Sequence, residues 1–167
     1  MAEGLFITRK DLVKFTSVNG SVDRDKFLQY IKISQDIHIR NYLGTDLFNK
    51  IQDDIEAGTL AGDYLTLVTD YIKPMVIHWA MVEYLPFAAY TIANKGVFKH
   101  GSENASNVDK EEVDFLIEKE RNIAQYYTDR FIDYMSFNAS GKYPEYFSNS
   151  NDDVYPDKNA NFEGWVL

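Results

Sequence analysis

Residues 62–94 read GDYLTLVTDYIKPMVIHWAMVEYLPFAAYTIAN, and this stretch decides the fold. Leu65, Val68, Ile72, Met75, Val76, Trp79, Val82 and Leu85 recur at helical spacing. The segment is apolar on more than one side, which predicts a central helix packed among others. Pro74 and Pro86 have no amide hydrogen and should kink or interrupt it. Met75 to Ala93 is its most apolar run, broken by His78, Glu83 and Pro86. That falls short of the ~20 apolar residues a bilayer span needs.

The flanking segments also read as helices. Thr8 is a candidate N-cap for a short helix within residues 6–15, with Leu12 and Phe15 on one side. Ser17 to Ser21, containing Asn19-Gly20, reads as a turn. From Asp23 to Leu43, Ile31, Ile33, Ile37 and Ile39 hint at strand alternation. The wider set Phe27, Ile31, Gln35, Ile39 and Tyr42 fits one face of a helix better, and Gly44 supplies the stop. Thr45 then reads as the cap of a helix through Leu47, Phe48, Ile51 and Ile55, ending before Gly58.

Beyond the central helix, residues 95–108 (KGVFKHGSENASNV) read as a polar loop long enough to carry function. The last helix is expected from Asp109 to Phe137, capped by Asn107 or Asp109, with acidic residues matching the dipole in its first turns. Val113, Leu116, Ile117, Ile123, Ala124, Tyr127, Phe131 and Tyr134 mark its buried face. Phe115, Tyr126 and Ile132 lie off that stripe and either meet a neighbouring subunit or widen the core contact. The fold predicted is all-α: a small bundle of four to five helices over residues 1–139, with a long kinked central helix.

Residues 140–167, SGKYPEYFSNSNDDVYPDKNANFEGWVL, read as an extended aromatic tail. Asn, Asp, Ser, Gly and Pro favour turns and extended backbone. A simple disordered tail is depleted in aromatic residues, and this one carries Tyr143, Tyr146, Phe147, Tyr155, Phe162 and Trp165. Burying large apolar side chains of this kind is worth roughly 1.5–3 kcal/mol each. The tail is therefore expected to dock on its own bundle, on a sister subunit or on a partner, with those six residues as anchors. If the tail docks on a neighbour, deleting residues 140–167 should leave a folded body that cannot assemble; if the shortened chain unfolds instead, the tail is part of the core.

Composition narrows the function classes. The net charge is −9 and the pI about 4.7. Residues 1–100 hold 11 Lys and Arg against 12 Asp and Glu, and residues 101–167 hold 6 against 14. A sequence-independent nucleic-acid binder would carry a basic footprint instead. With no Cys, thiol catalysis, disulfides and Cys-based zinc sites are excluded. The opening MAEGLFITRKDL lacks a signal-peptide pattern, so a soluble chain made in the cytoplasm is expected.

Chemistry-bearing constellations are scarce. His38, His78 and His100 fall in separate segments, with His78 read as a core histidine and the other two as surface residues. Glu111, Asp114 and Glu118 share one side of the last helix, and Asp129 and Asp133 form an i, i+4 pair. Carboxylates at such spacing hold Mg²⁺ in helical nucleotide hydrolases, but acidic groups must face each other from two helices. Glu83 is the one inward candidate on the central helix, so a solvated acidic face is the better reading. No phosphate-loop, dinucleotide or nucleophile-elbow motif is present. No catalytic, cofactor or metal residues are assigned, and an enzyme is not expected.

The order Ile33-Ser34-Gln35-Asp36, Tyr42-Leu43-Gly44-Thr45-Asp46-Leu47-Phe48, Lys73-Pro74, Ala80, Tyr84-Leu85-Pro86, Asn104-Ala105-Ser106 and Tyr143-Pro144 has a parallel. Over residues 25–147 it resembles the head–tail connector (adaptor, or head-completion) proteins of tailed bacteriophages, especially crAss-like phages. The resemblance is one of segment size and order. It implies a non-enzymatic virion protein at the head–tail junction, assembled in the bacterial cytoplasm. Its partners would be copies of itself in a homo-oligomeric ring, usually a dodecamer, together with portal and tail proteins. DNA would pass through the lumen without specific binding. It implies a C-terminal segment that reaches a neighbour or the portal, disordered when free and ordered on assembly. The alternatives are an all-helical metal-dependent nucleotide hydrolase, for which Glu83 and Glu112 are the residues to test, and a cytoplasmic adaptor module.

Overall fold

A computed structural model describes residues 4–16, 18, 24–88, 90–93, 96–99 and 109–159. Helix α1 (Arg9–Phe15) opens with the expected cap. The Thr8 hydroxyl accepts from the Asp11 amide, and the Asp11 carboxylate accepts from the Thr8 amide. The expected turn at 17–21 lies outside the described residues, apart from Val18.

Helix α2 (Arg24–Ser34) runs through a π turn (Gln35–Ile39) into α3 (Arg40–Leu43). Phe27, Ile31, Gln35, Ile39 and Tyr42 are all buried, while Ile33 and Ile37 face outward. The π turn, where the Arg40 amide bonds back to Gln35, gives buried Gln35 a structural task. Its Oε1 accepts the Phe6 amide at 2.8 Å, which draws Phe6 and Ile7 into the core ahead of α1.

Helix α4 (Thr45–Ala57) begins at Gly44 and ends at Gly58, whose left-handed φ of 68° closes the helix. Thr45 is the first residue of α4, not its cap; its hydroxyl is used elsewhere, as described below.

The central segment is interrupted twice. Helix α5 (Gly62–Leu67) passes through a second π turn (Val68–Ile72) into α6 (Lys73–Tyr84), which ends in a 3-10 turn (Leu85–Phe87) holding Pro86. Pro74 has no amide to return to the Asp70 carbonyl four residues back. The Arg130 guanidinium donates to that carbonyl at 3.2 Å. Val68, Ile72, Met75, Val76, Trp79 and Val82 are buried as expected, but Leu65 is exposed on short α5. The helix does not continue to Asn94. Pro86 tightens and ends it, and β1 (Tyr90–Ala93) then pairs antiparallel with β2 (Gly96–Lys99), Thr91 opposite Phe98. Part of the expected 95–108 loop is therefore strand. The rest of that loop, with His100, lies outside the described residues.

Helix α7 (Lys110–Lys142) is capped by Asp109 in a box with Glu112. It runs five residues past the expected Phe137. Ala124, Thr128, Phe131, Ile132, Met135 and Ala139 form its buried seam. Ile132 is thus a core residue, whereas Leu116 and Ile123 are exposed. Among the described residues the architecture is an all-α bundle with one small hairpin, in which α6 packs between α2 and α7.

Trp79 ties these three layers. Its indole N–H donates to the Thr128 hydroxyl at 3.0 Å, and that hydroxyl donates to the Ala124 carbonyl at 2.8 Å. On its other side the His38 ring stacks at 4.0 Å.

Candidate functional site

Two features of the surface invite a functional reading: the chain after α7, and the outer face of α7 itself. The first begins with Tyr143, which is 0% exposed. Its ring meets Tyr64 edge-on at 5.4 Å, and its hydroxyl donates to the Asp63 carbonyl at 3.0 Å beside the Tyr134 hydroxyl at 3.1 Å. Burial pushes the Tyr143 phenol well above the ordinary tyrosine range. A 3-10 turn (Pro144–Phe147) then delivers Tyr146 into the core against Phe131. Burial, helped by the negative charge of Asp157, moves the Tyr146 phenol up to about 12.

Residues 148–157 cross the junction of α3 and α4 as a strap. The Asp46 carboxylate, in the first turn of α4, accepts the Ser150 amide (2.9 Å) and the hydroxyls of Ser148 (2.7 Å) and Ser150 (2.8 Å). These bonds, the Ser150 amide first, hold its carboxyl below the usual aspartate value. The Thr45 hydroxyl donates to Asp153 at 2.8 Å and accepts the Val154 amide at 3.2 Å, while the Thr45 amide donates to the Val154 carbonyl. Gly44, at φ 76°, lies under Pro156. The Asp157 amide closes the strap onto the Asn41 carbonyl at 2.9 Å.

The expected anchors therefore divide. Tyr143 and Tyr146 are core residues of their own bundle, because α7 aims them inward as it ends, and they are not free to dock on a neighbour. Phe147 and Tyr155 stay about half exposed, with the Lys158 ammonium 4.7 Å and 5.5 Å from their ring centres. Phe162 and Trp165 lie outside the described residues. The boundary after residue 139 also moves: the helix continues to Lys142, and residues 143–157 belong to the bundle. Gly44 and Thr45, which hold the strap together with Asp46, read in the sequence only as a helix stop and a helix cap. The legible signal was the polar turn sequence SNSNDD, whose donors need an acceptor somewhere.

The outer face of α7 is the second feature. Phe115 is 57% exposed, Tyr126 64% and Phe137 86%. The first two are the off-stripe residues of the sequence pattern; Phe137 stands in that pattern only as the expected helix end.

Two of the histidines are engaged in structure. His38, expected on the surface, is half-buried against Trp79 and bonds Glu83 at 2.7 Å. His78 bonds Glu120 at 2.7 Å and stacks on Tyr127. Glu83, Asp114, Glu118, Arg121 and Asn122 line a cavity of about 600 Å³ between the ends of α6 and α7. Among the described residues, no group of three or more His, Asp and Glu is placed to hold a metal ion. Also among them, no helix is long and apolar enough to cross a membrane.

Residues 39–155 match the model of a family of unknown function, DUF6712. The match covers most of the chain, from the first π turn through all of α3–α7 and most of the strap, and the chain belongs to this family. No curated protein and no solved structure matches it.

Proposed function

We propose that this chain is a non-enzymatic structural subunit of a tailed-phage virion, forming a ring, a dodecamer by resemblance, that joins the portal to the tail and extends the DNA channel. The observation that carries the reading is the strap. It fixes the chain at Asp157 beside Asn41, so the residues that follow, with Phe162 and Trp165 in the sequence NFEGWVL, start from a defined point. An aromatic peptide held at one end is suited to extended docking on an adjacent subunit or on the portal. A closed ring needs two different faces per subunit. The fold offers outward apolar side chains away from the outer edge of α7, Ile33 and Ile37 from the α2 side and Phe147 and Tyr155 beside the strap. The acidic excess after residue 100 suits a lumen through which DNA slides without specific binding.

The test is binding to isolated portal rings of the same genome, read by electron microscopy, with the full chain beside a chain ending at residue 159. Deleting only the last eight residues spares the strap, which removal of 140–167 would not. Added ring density with the full chain and none with the shortened one supports the reading. Absence of binding by the full chain to intact portal rings removes it.

A further inference from the structure

The exposed aromatic residues of α7 are evenly spaced: Phe115, Tyr126 and Phe137 stand eleven residues apart. Eleven residues are three turns of an α-helix, so the three rings line up on one outer edge at intervals of about 16 Å. Between them on the same edge lie Lys119, whose ammonium sits 5.6 Å from the Phe115 ring centre, and exposed Asp133. At Lys119 and Asp133 the arrangement reads the same from either end with the sign of the charge exchanged; Asn122 and Arg130, one turn either side of Tyr126, pair a neutral amide with a cation. Tyr126 is the midpoint of α7, Phe115 and Phe137 are equidistant from it, and so are Lys119 and Asp133.

We infer that α7 pairs with α7 of a second copy of this chain, antiparallel, about a two-fold axis at Tyr126. In that register Phe115 meets Phe137 of the other copy at both ends, Tyr126 meets Tyr126, and Lys119 faces Asp133 twice. Isologous contacts require such self-complementarity, in which residue i meets j and j meets i. Overlap along the whole helix also sets each positive N-terminal end beside a negative C-terminal end. The occupant is chosen by the pairing this register makes: another copy sets Asp133 against Lys119 on each side of Tyr126, with aromatic rings between and at both ends. The contact uses one face twice, so it closes at a dimer and is distinct from the head-to-tail contact of a ring. It does not rest on the ring reading.

The chain has no cysteine, so single reporters are clean. In the full chain, Tyr126→Cys should cross-link to itself with a short bismaleimide, and Phe115→Cys should cross-link preferentially to Phe137→Cys in a mixture of tagged and untagged protein. Ile33→Cys, also at the surface but on α2, should not. The unmodified chain should sediment as a dimer. Lys119→Asp or Asp133→Lys alone should weaken dimerisation by about tenfold, through two like-charge contacts per dimer, and the two together should restore it. A chain that stays monomeric at high micromolar concentration overturns the inference. So does Tyr126→Cys cross-linking no better than Ile33→Cys, or a double reversal that rescues nothing. A portal-bound ring without Tyr126 self-cross-linking would sink the pair and leave the ring; a cross-linked dimer that ignores portal would do the reverse.

Discussion

Pro156 lies against Gly44 where a side chain would begin: a Cβ on Gly44 would stand 2.7 Å from two carbons of the proline ring. The same glycine holds φ 76° and ψ 157°, a region that residues with a Cβ scarcely enter. Gly44→Ala should therefore lose stability by about 1–3 kcal/mol from backbone strain, and more from the clash. Thermal unfolding gives the size. Limited proteolysis gives the place, since cleavage should appear first within 148–157. An alanine variant as stable and as resistant as the parent would show that the strap does not depend on this contact.

Tyr143 should behave as a core residue. Tyr143→Phe removes the hydroxyl that bonds Asp63 and Tyr134, at about 1 kcal/mol. Tyr143→Ala empties a fully buried site and should cost about 3–5 kcal/mol. Denaturant midpoints at constant m-value measure both. On the same logic a chain ending at 139 should be largely unfolded, and one ending at 159 should keep the parental midpoint. A stable, cooperative 1–139 fragment would contradict the placement of Tyr143.

Thr128→Val should leave the buried Trp79 indole N–H without its acceptor, at about 1–3 kcal/mol, although the side chains are nearly equal in volume. Thr128→Ser keeps the hydroxyl and should cost less. If valine proves the milder change, the bond is not what holds α6 to α7 here.

Acid should loosen the strap before the bundle. The carboxyl of Asp46 is depressed in the folded chain, so its contribution is complete above the unfolded carboxyl value and is lost as pH falls through the folded one. The window lies below about pH 4. Hydrogen exchange of the 148–157 amides should rise across it. Asp46→Asn should already show faster exchange at neutral pH and little further change on acidification. Parallel pH profiles for the two proteins would mean that Asp46 is not the group concerned.

The helices were legible where burial follows a simple period. Phe27, Ile31, Gln35, Ile39 and Tyr42 all face inward, although a π turn begins at Gln35. That turn could not be read, because a local change in winding leaves no compositional mark. Leu65, Leu116 and Ile123 look like core residues by type, and only the ends and packing of α5 and α7 leave them outside. The hairpin at 90–99 was hidden by its likeness to the apolar helix before it. The strap was hidden for another reason: Asp46 and Ser150 are 104 positions apart, and nothing local in either segment names the other. His38 was misplaced in the same way, since its partner Glu83 lies on a different helix.

The burial of Tyr143 and Tyr146 also sets a schedule for folding. Both rings come after every α-helix of the bundle in chain order, so the core stays open until residues 143–146 have left the ribosome. Helices α1 to α6 can collapse on the ribosome, but the packing that closes them arrives with the strap. A chain cut short before Tyr143 would be open at its centre, exposed to proteases before it could join any assembly.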